Sequence, residues 1–125
     1  MRLAAVVCFA ACGCAQSVDA PVTPPSDPKS APLKVWMTAN LARTVKTEDF
    51  EALARALATL AEGGPPELAG WAGVAERGAR AAAAGDIERV RASCADCHAS
   101  FRTEYRERFR ARAFPPRAAS PGGRR

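Results

Sequence analysis

Apolar side chains between Pro32 and Phe114 recur at spacings of three and four, the period of a helix with one buried face. No run there alternates apolar and polar residues as a half-buried strand would. A first helix is expected from about Pro32, with Ser30 as its cap and Leu33, Trp36, Met37, Asn40 and Leu41 on one face. A second should begin after Thr47, whose hydroxyl can cap a first turn carrying Glu48 and Asp49. Its stripe is Phe50, Leu53, Leu57 and Leu60, and Gly63-Gly64-Pro65-Pro66 ends it. The third is expected from about Pro66 to Ala84, with Leu68, Trp71, Val74 and Ala75 inward. Gly70, Gly73 and Gly78 inside it each cost on the order of 1 kcal/mol of helix propensity, a cost that suits close approach to a flat group or to another helix. Gly85 closes this helix and Asp86 caps the fourth, which carries Val90, Cys94, Cys97, His98, Phe101, Tyr105 and Phe109 in one stripe. Four helices with short connections predict an all-α fold, a compact antiparallel four-helix bundle.

The flanks differ in composition. Residues 1–15 start with a positive charge at Arg2 and continue as a short apolar run, which predicts an export signal rather than a membrane span. Phe9-Ala10-Ala11-Cys12 resembles a bacterial lipobox, so Cys12 is a candidate lipidation site, with Cys14 as the alternative register. Ordinary cleavage after Ala15, leaving no anchor, is the competing reading. Gly13 or Ala15 would follow the lipidated cysteine, and neither is the aspartate associated with inner-membrane retention, which points to the outer membrane. Residues 16–31 are rich in Pro, Ser and Asp and predict a disordered tether. Residues 115–125 predict a basic disordered tail. The folded part, 32–114, is then roughly 80 residues, a size at which a core by itself is marginal.

Inside the fourth helix stands Cys94-Ala95-Asp96-Cys97-His98, the attachment pattern of a c-type haem. Two thiols at this spacing can add to the two vinyl groups on one edge of a porphyrin, and the adjoining histidine is delivered to the iron. His98 is the only histidine in the chain. A thioredoxin-like pair would sit beside a βαβ pattern, which is missing here. A structural zinc site wants four ligands, and beyond the leader only these three residues offer themselves. The stripe lays such a haem against the fourth helix, with Phe101 and Tyr105 packing on it or serving as ordinary core. A haem held this way would supply much of the missing core, and a protein without it should be poorly folded.

Written further, Cys94-x-x-Cys97-His98-x-x-Phe101-Arg102 is similar to the C-x-x-C-H-x-x-F-R signature of class II c-type cytochromes, the cytochrome c′ group and its low-spin relatives. The resemblance covers about residues 32–114, with a specific motif at the end and a matching pattern before it. It implies a four-helix bundle with five- or six-coordinate haem, serving electron transfer or gas binding. In the low-spin branch a methionine of the first helix binds the iron. Met37, the only methionine besides the initiator, matches that position. A thioether there suits ferrous iron and raises the potential relative to two histidines; the plainer reading is a core methionine filling a gap. The resemblance also implies that Arg102 lies near the proximal histidine, against the simpler view of an exposed arginine. The chain departs from the family in its short first helix and in the reduced connection between the second and third, which bears on dimer packing.

Charge adds a partner class. The net charge of +5 comes largely from arginines of the last helix and tail. Export sets nucleic acid aside, and a basic surface suits an acidic redox protein of the periplasm or membrane, or anionic headgroups. Two functions fit: a periplasmic one-electron carrier with His98 and Met37 on the iron, or a gas-binding protein with an open distal face. Enzymatic, peroxidase-like chemistry would need a distal acid–base pair, and the one histidine is already used.

Overall fold

Pro32 opens the first helix where its missing N–H costs nothing, with Ala31 in the cap position and no side-chain cap. The structure is a computed structural model that describes residues 31–116. The expected signal, the tether with Ser30, and Cys12 and Cys14 therefore lie outside the described residues. Helix α1 covers residues 32–47 and is not uniform. It is α-helical over Pro32–Met37, π-helical over Thr38–Ala42 and α-helical again over Arg43–Thr47. A π segment inserts a residue into the helical ladder and frees backbone carbonyls. Side chains take several of these up. Asn40 Nδ2 donates to the Trp36 carbonyl at 2.9 Å, and Thr44 Oγ1 donates to the carbonyls of Asn40 and Leu41, each at 2.9 Å.

Glu48 ends α1 in the left-handed region, at φ 52°, where an L side chain costs roughly 1–2 kcal/mol. Its neighbour Asp49, rather than the expected Thr47, caps α2 (Phe50–Glu62), the Asp49 carboxylate accepting from Ala52 N at 3.1 Å. Thr47 is spent on the Arg43 carbonyl. Leu53, Leu57 and Leu60 of the expected stripe are buried, joined by Ala56 and Ala61.

The third helix starts later than its apolar pattern predicts. Residues 66–70 form turns, and α3 runs Trp71–Ala83. Gly70 is thus not inside a helix; it precedes one at φ 89°, a conformation that favours glycine. Leu68 is buried all the same, from a turn. At Gly64 a Cβ would lie 2.0 Å from the Trp71 ring, so only glycine lets that indole seat and donate to the Leu60 carbonyl at 2.8 Å. Gly85 (φ 70°) and Asp86 behave as expected: the first turns the chain out of α3, and the second accepts from Arg89 N at 3.0 Å to start α4 (Ile87–Arg108).

Four helices and no strands thus make up the described residues. The helices pack compactly, α2 on α3 and α3 on α4 most closely, with α1 against α2. At the α3–α4 crossing a Cβ on Gly78 would meet Ser93 Oγ at 2.9 Å, so here the glycine serves helix-to-helix approach. Ser93 is buried and donates to the Val74 carbonyl at 2.7 Å. Phe114, beyond α4, returns to the core edge-on to Trp36, centroids 4.8 Å apart. No helix of the described residues is long and apolar enough to cross a membrane.

Candidate functional site

Cys94 and Cys97 stand two and three turns into α4, where the helix has moved past its polar first turn. The residues between them face elsewhere: Asp96 is exposed and 3.8 Å from Arg77 of α3. Both thiols are half-buried, and both face a cavity of about 630 Å³ that opens between α1 and α4. Leu57 and Leu60 of α2, with Trp71 and Ala75 of α3, close its inner side. Its size falls in the range of cofactor and ligand pockets. His98, Phe101 and Arg102 line the same cavity from α4, and Met37 lines it from α1. All six residues expected at a haem within the described region are therefore brought together, across a sequence separation that no local pattern connects.

Burial sets the state of the thiols. It raises the Cys94 pKa above its ordinary value, and it pushes that of Cys97 up to about 11, with the neighbouring Cys94 adding a smaller push. Thiols of redox and nucleophilic sites are held low by helix N-termini or cations, and this pair lies the other way. Nor are three His, Cys, Asp or Glu residues grouped to hold a metal ion among the described residues. His98 is exposed.

Aromatic rings floor the far part of the cavity. Trp71 stacks on Tyr105 at 5.5 Å between centroids and tilts against Phe101 at 5.7 Å. The Tyr105 hydroxyl is buried without a hydrogen-bond partner among the described residues, and burial raises its pKa, with Arg112 opposing. Phe101 and Tyr105 are thus core residues and cavity walls together.

Two arginines of the cavity escape a reading of the sequence. Lys34, Arg106 and Arg110 also line it, and all three are exposed. A signal for Arg106 exists: His98, Arg102 and Arg106 follow one another at intervals of four, so each is a neighbour of the last on the helix surface, and Arg110 continues the spacing in the turn past the end of α4. Lys34, like Lys46, is a conceivable iron ligand by its amine, though both fit a solvated surface better. Comparison with protein-family models, with curated proteins and with solved structures found no match.

Proposed function

We propose that the chain is a c-type cytochrome carrying one covalent haem, an electron carrier rather than an enzyme. The observation that carries this reading is the meeting of Cys94, Cys97, His98 and Met37 around one largely apolar cavity. The donor set fits the group. Two protonated, half-buried thiols flank a cavity, a histidine follows them on the same helix, and a soft thioether lines the cavity from the opposite helix. Cys94 and Cys97 would hold the cofactor through thioether bonds, and His98 and Met37 would ligate the iron. Phe101, Trp71 and Tyr105 would exclude water from the ring. Arg102, exposed at the cavity beside His98, would bias the iron electrostatically.

The haem supplies a one-electron couple, so the chain's own work is to bind, orient and shield. Donors from two different helices, His98 and Met37, would suit electron transfer without bond chemistry. In this reading the helices form the antiparallel bundle of the class II cytochromes. The chain is exported to the periplasm, tethered by a lipid on Cys12 or Cys14 and presented to acidic redox partners.

The visible spectrum of the purified holoprotein, oxidised and reduced, with and without carbon monoxide, tests the carrier reading. A low-spin ferrous spectrum unchanged by the gas is expected, and Met37→Ala should convert it to a high-spin form that binds carbon monoxide. A wild-type protein that takes up the gas readily is instead a gas binder with an open distal face, and Met37 is then a packing residue.

A further inference from the structure

The arginines of α4 are sorted by face. Arg89, Arg91 and Arg108 lie off the cavity and pair within the helix with Asp86, Glu88 and Glu104. Arg102, Arg106 and, in the turn after α4, Arg110 line the cavity and form no ion pair among the described residues; Lys34, on α1, forms none either. Arg106 has no carboxylate three or four residues away on either side, so its isolation is written into the helix. These cations are exposed and line the cavity, so they ring its open side. Side chains of a helix lean toward its N-terminus, which tips the Arg106 head back toward the motif; Arg110 stands in the turn that follows α4.

The cavity therefore has unlike ends. Cys94 and Cys97 mark one. Cations mark the other, with Arg106 nine residues beyond Cys97, roughly 13 Å along the axis. A haem is unlike at its ends in the same sense: vinyl groups on one edge, two propionate carboxylates on the other.

We propose that Lys34, Arg106 and Arg110 form a carboxylate site for the two haem propionates, fixing the cofactor with its anionic edge toward the C-terminal half of α4. This rests on the haem reading above. Guanidinium groups suit the task, since their planar fork meets a carboxylate through two parallel hydrogen bonds. Cations that balance the propionates also favour the ferrous state, because unbalanced negative charge near the iron stabilises the ferric form.

The test compares two triple variants of the holoprotein. Lys34→Gln/Arg106→Gln/Arg110→Gln removes the cavity cations, and Arg89→Gln/Arg91→Gln/Arg108→Gln removes as many charges from the other faces. Intact mass establishes covalent haem in wild type and in each variant. The cavity triple should keep its haem, show shifted propionate bands by resonance Raman spectroscopy, and have a lower reduction potential than the control triple. Arg106→Lys/Arg110→Lys, which keeps the charge, should hold the potential near wild type. Equal potentials and unmoved propionate bands in the two triples overturn the proposal. The same null result with slower reaction toward hexacyanoferrate, an anionic one-electron reagent, assigns the cations to an acidic partner and overturns it equally. Absence of haem from the wild-type chain is a different failure, that of the cytochrome reading itself.

Discussion

The two sides of this small protein are built to different standards. Between α2, α3 and the start of α4 the packing is closed: Leu53, Ala82 and Val90 are 0% exposed, and there is no room for a Cβ on Gly78. Between α1 and the middle of α4 lies an open cavity, and three of the side chains facing it, Met37, Cys94 and Cys97, are only half-buried. Close-packed cores leave few voids larger than a water molecule, so a cavity of about 630 Å³ sets this side apart from the other. The closed side can hold itself. On the haem reading, the open side would be held by the cofactor.

The largest expected effect breaks the open side alone. Cys94→Ser/Cys97→Ser should abolish covalent haem and cost about 3 kcal/mol or more of stability, as loss of a tight ligand does. Amide exchange should show where: protection in 32–47 falls sharply, while α2 and α3 keep most of theirs. Uniform loss across all four helices would erase the distinction between the sides.

Next, truncation should cost unequally in the haem-free chain. Leu53→Ala, in the closed side, should lower stability by about 3 kcal/mol in chemical denaturation. Leu41→Ala removes the same atoms from a residue that already borders the cavity, and about half that cost is expected. Equal costs would mean that the open side is as well packed as the other.

The pH response separates the free thiols from bound ones. The folded Cys97 pKa is about 11, above the ordinary value of 9.0, so burial favours the protonated thiol. Stability from this group is present below pH 9 and is lost as pH rises toward 11. The haem-free chain should weaken over that window in denaturation midpoints, and the holoprotein, with no thiol left to titrate, should not. The smallest expected effect lies at the end of α1. Glu48→Gly relieves a left-handed φ of 52° and should raise the denaturation midpoint by an amount worth about 1 kcal/mol, with no change in the haem spectrum.

Much of this was legible along the chain, and the failures have physical causes. Helix α4 and its stripe follow from Asp86, Gly85 and the three-and-four spacing, because amphipathic period and caps act locally. The segment from Pro66 to Gly70 carries an inward Leu68 and so looks helical, yet a buried turn meets the same demand. Thr47 and Asp49 are both good caps, and which one serves depends on where Glu48 reverses the chain. The π segment of α1 is invisible to a periodic reading, since it depends on backbone carbonyls finding Asn40 and Thr44. Ser93 hides likewise: nothing in its neighbours announces that Gly78 will bring α3 close enough for a buried hydrogen bond. At the cavity, Cys94, Cys97 and His98 stand out because their chemistry is rare at that spacing. Lys34, Arg106 and Arg110 do not, because exposed cations are ordinary until a cavity lies beside them.

The most direct test of the central claim is the intact mass of the full chain expressed with the haem-attachment machinery of an exporting bacterium. A covalent increment of one haem on the wild type, absent from Cys94→Ser/Cys97→Ser, is the predicted result. A wild-type chain of unmodified mass with both thiols free, made alongside a control cytochrome that is loaded in the same cells, would contradict it.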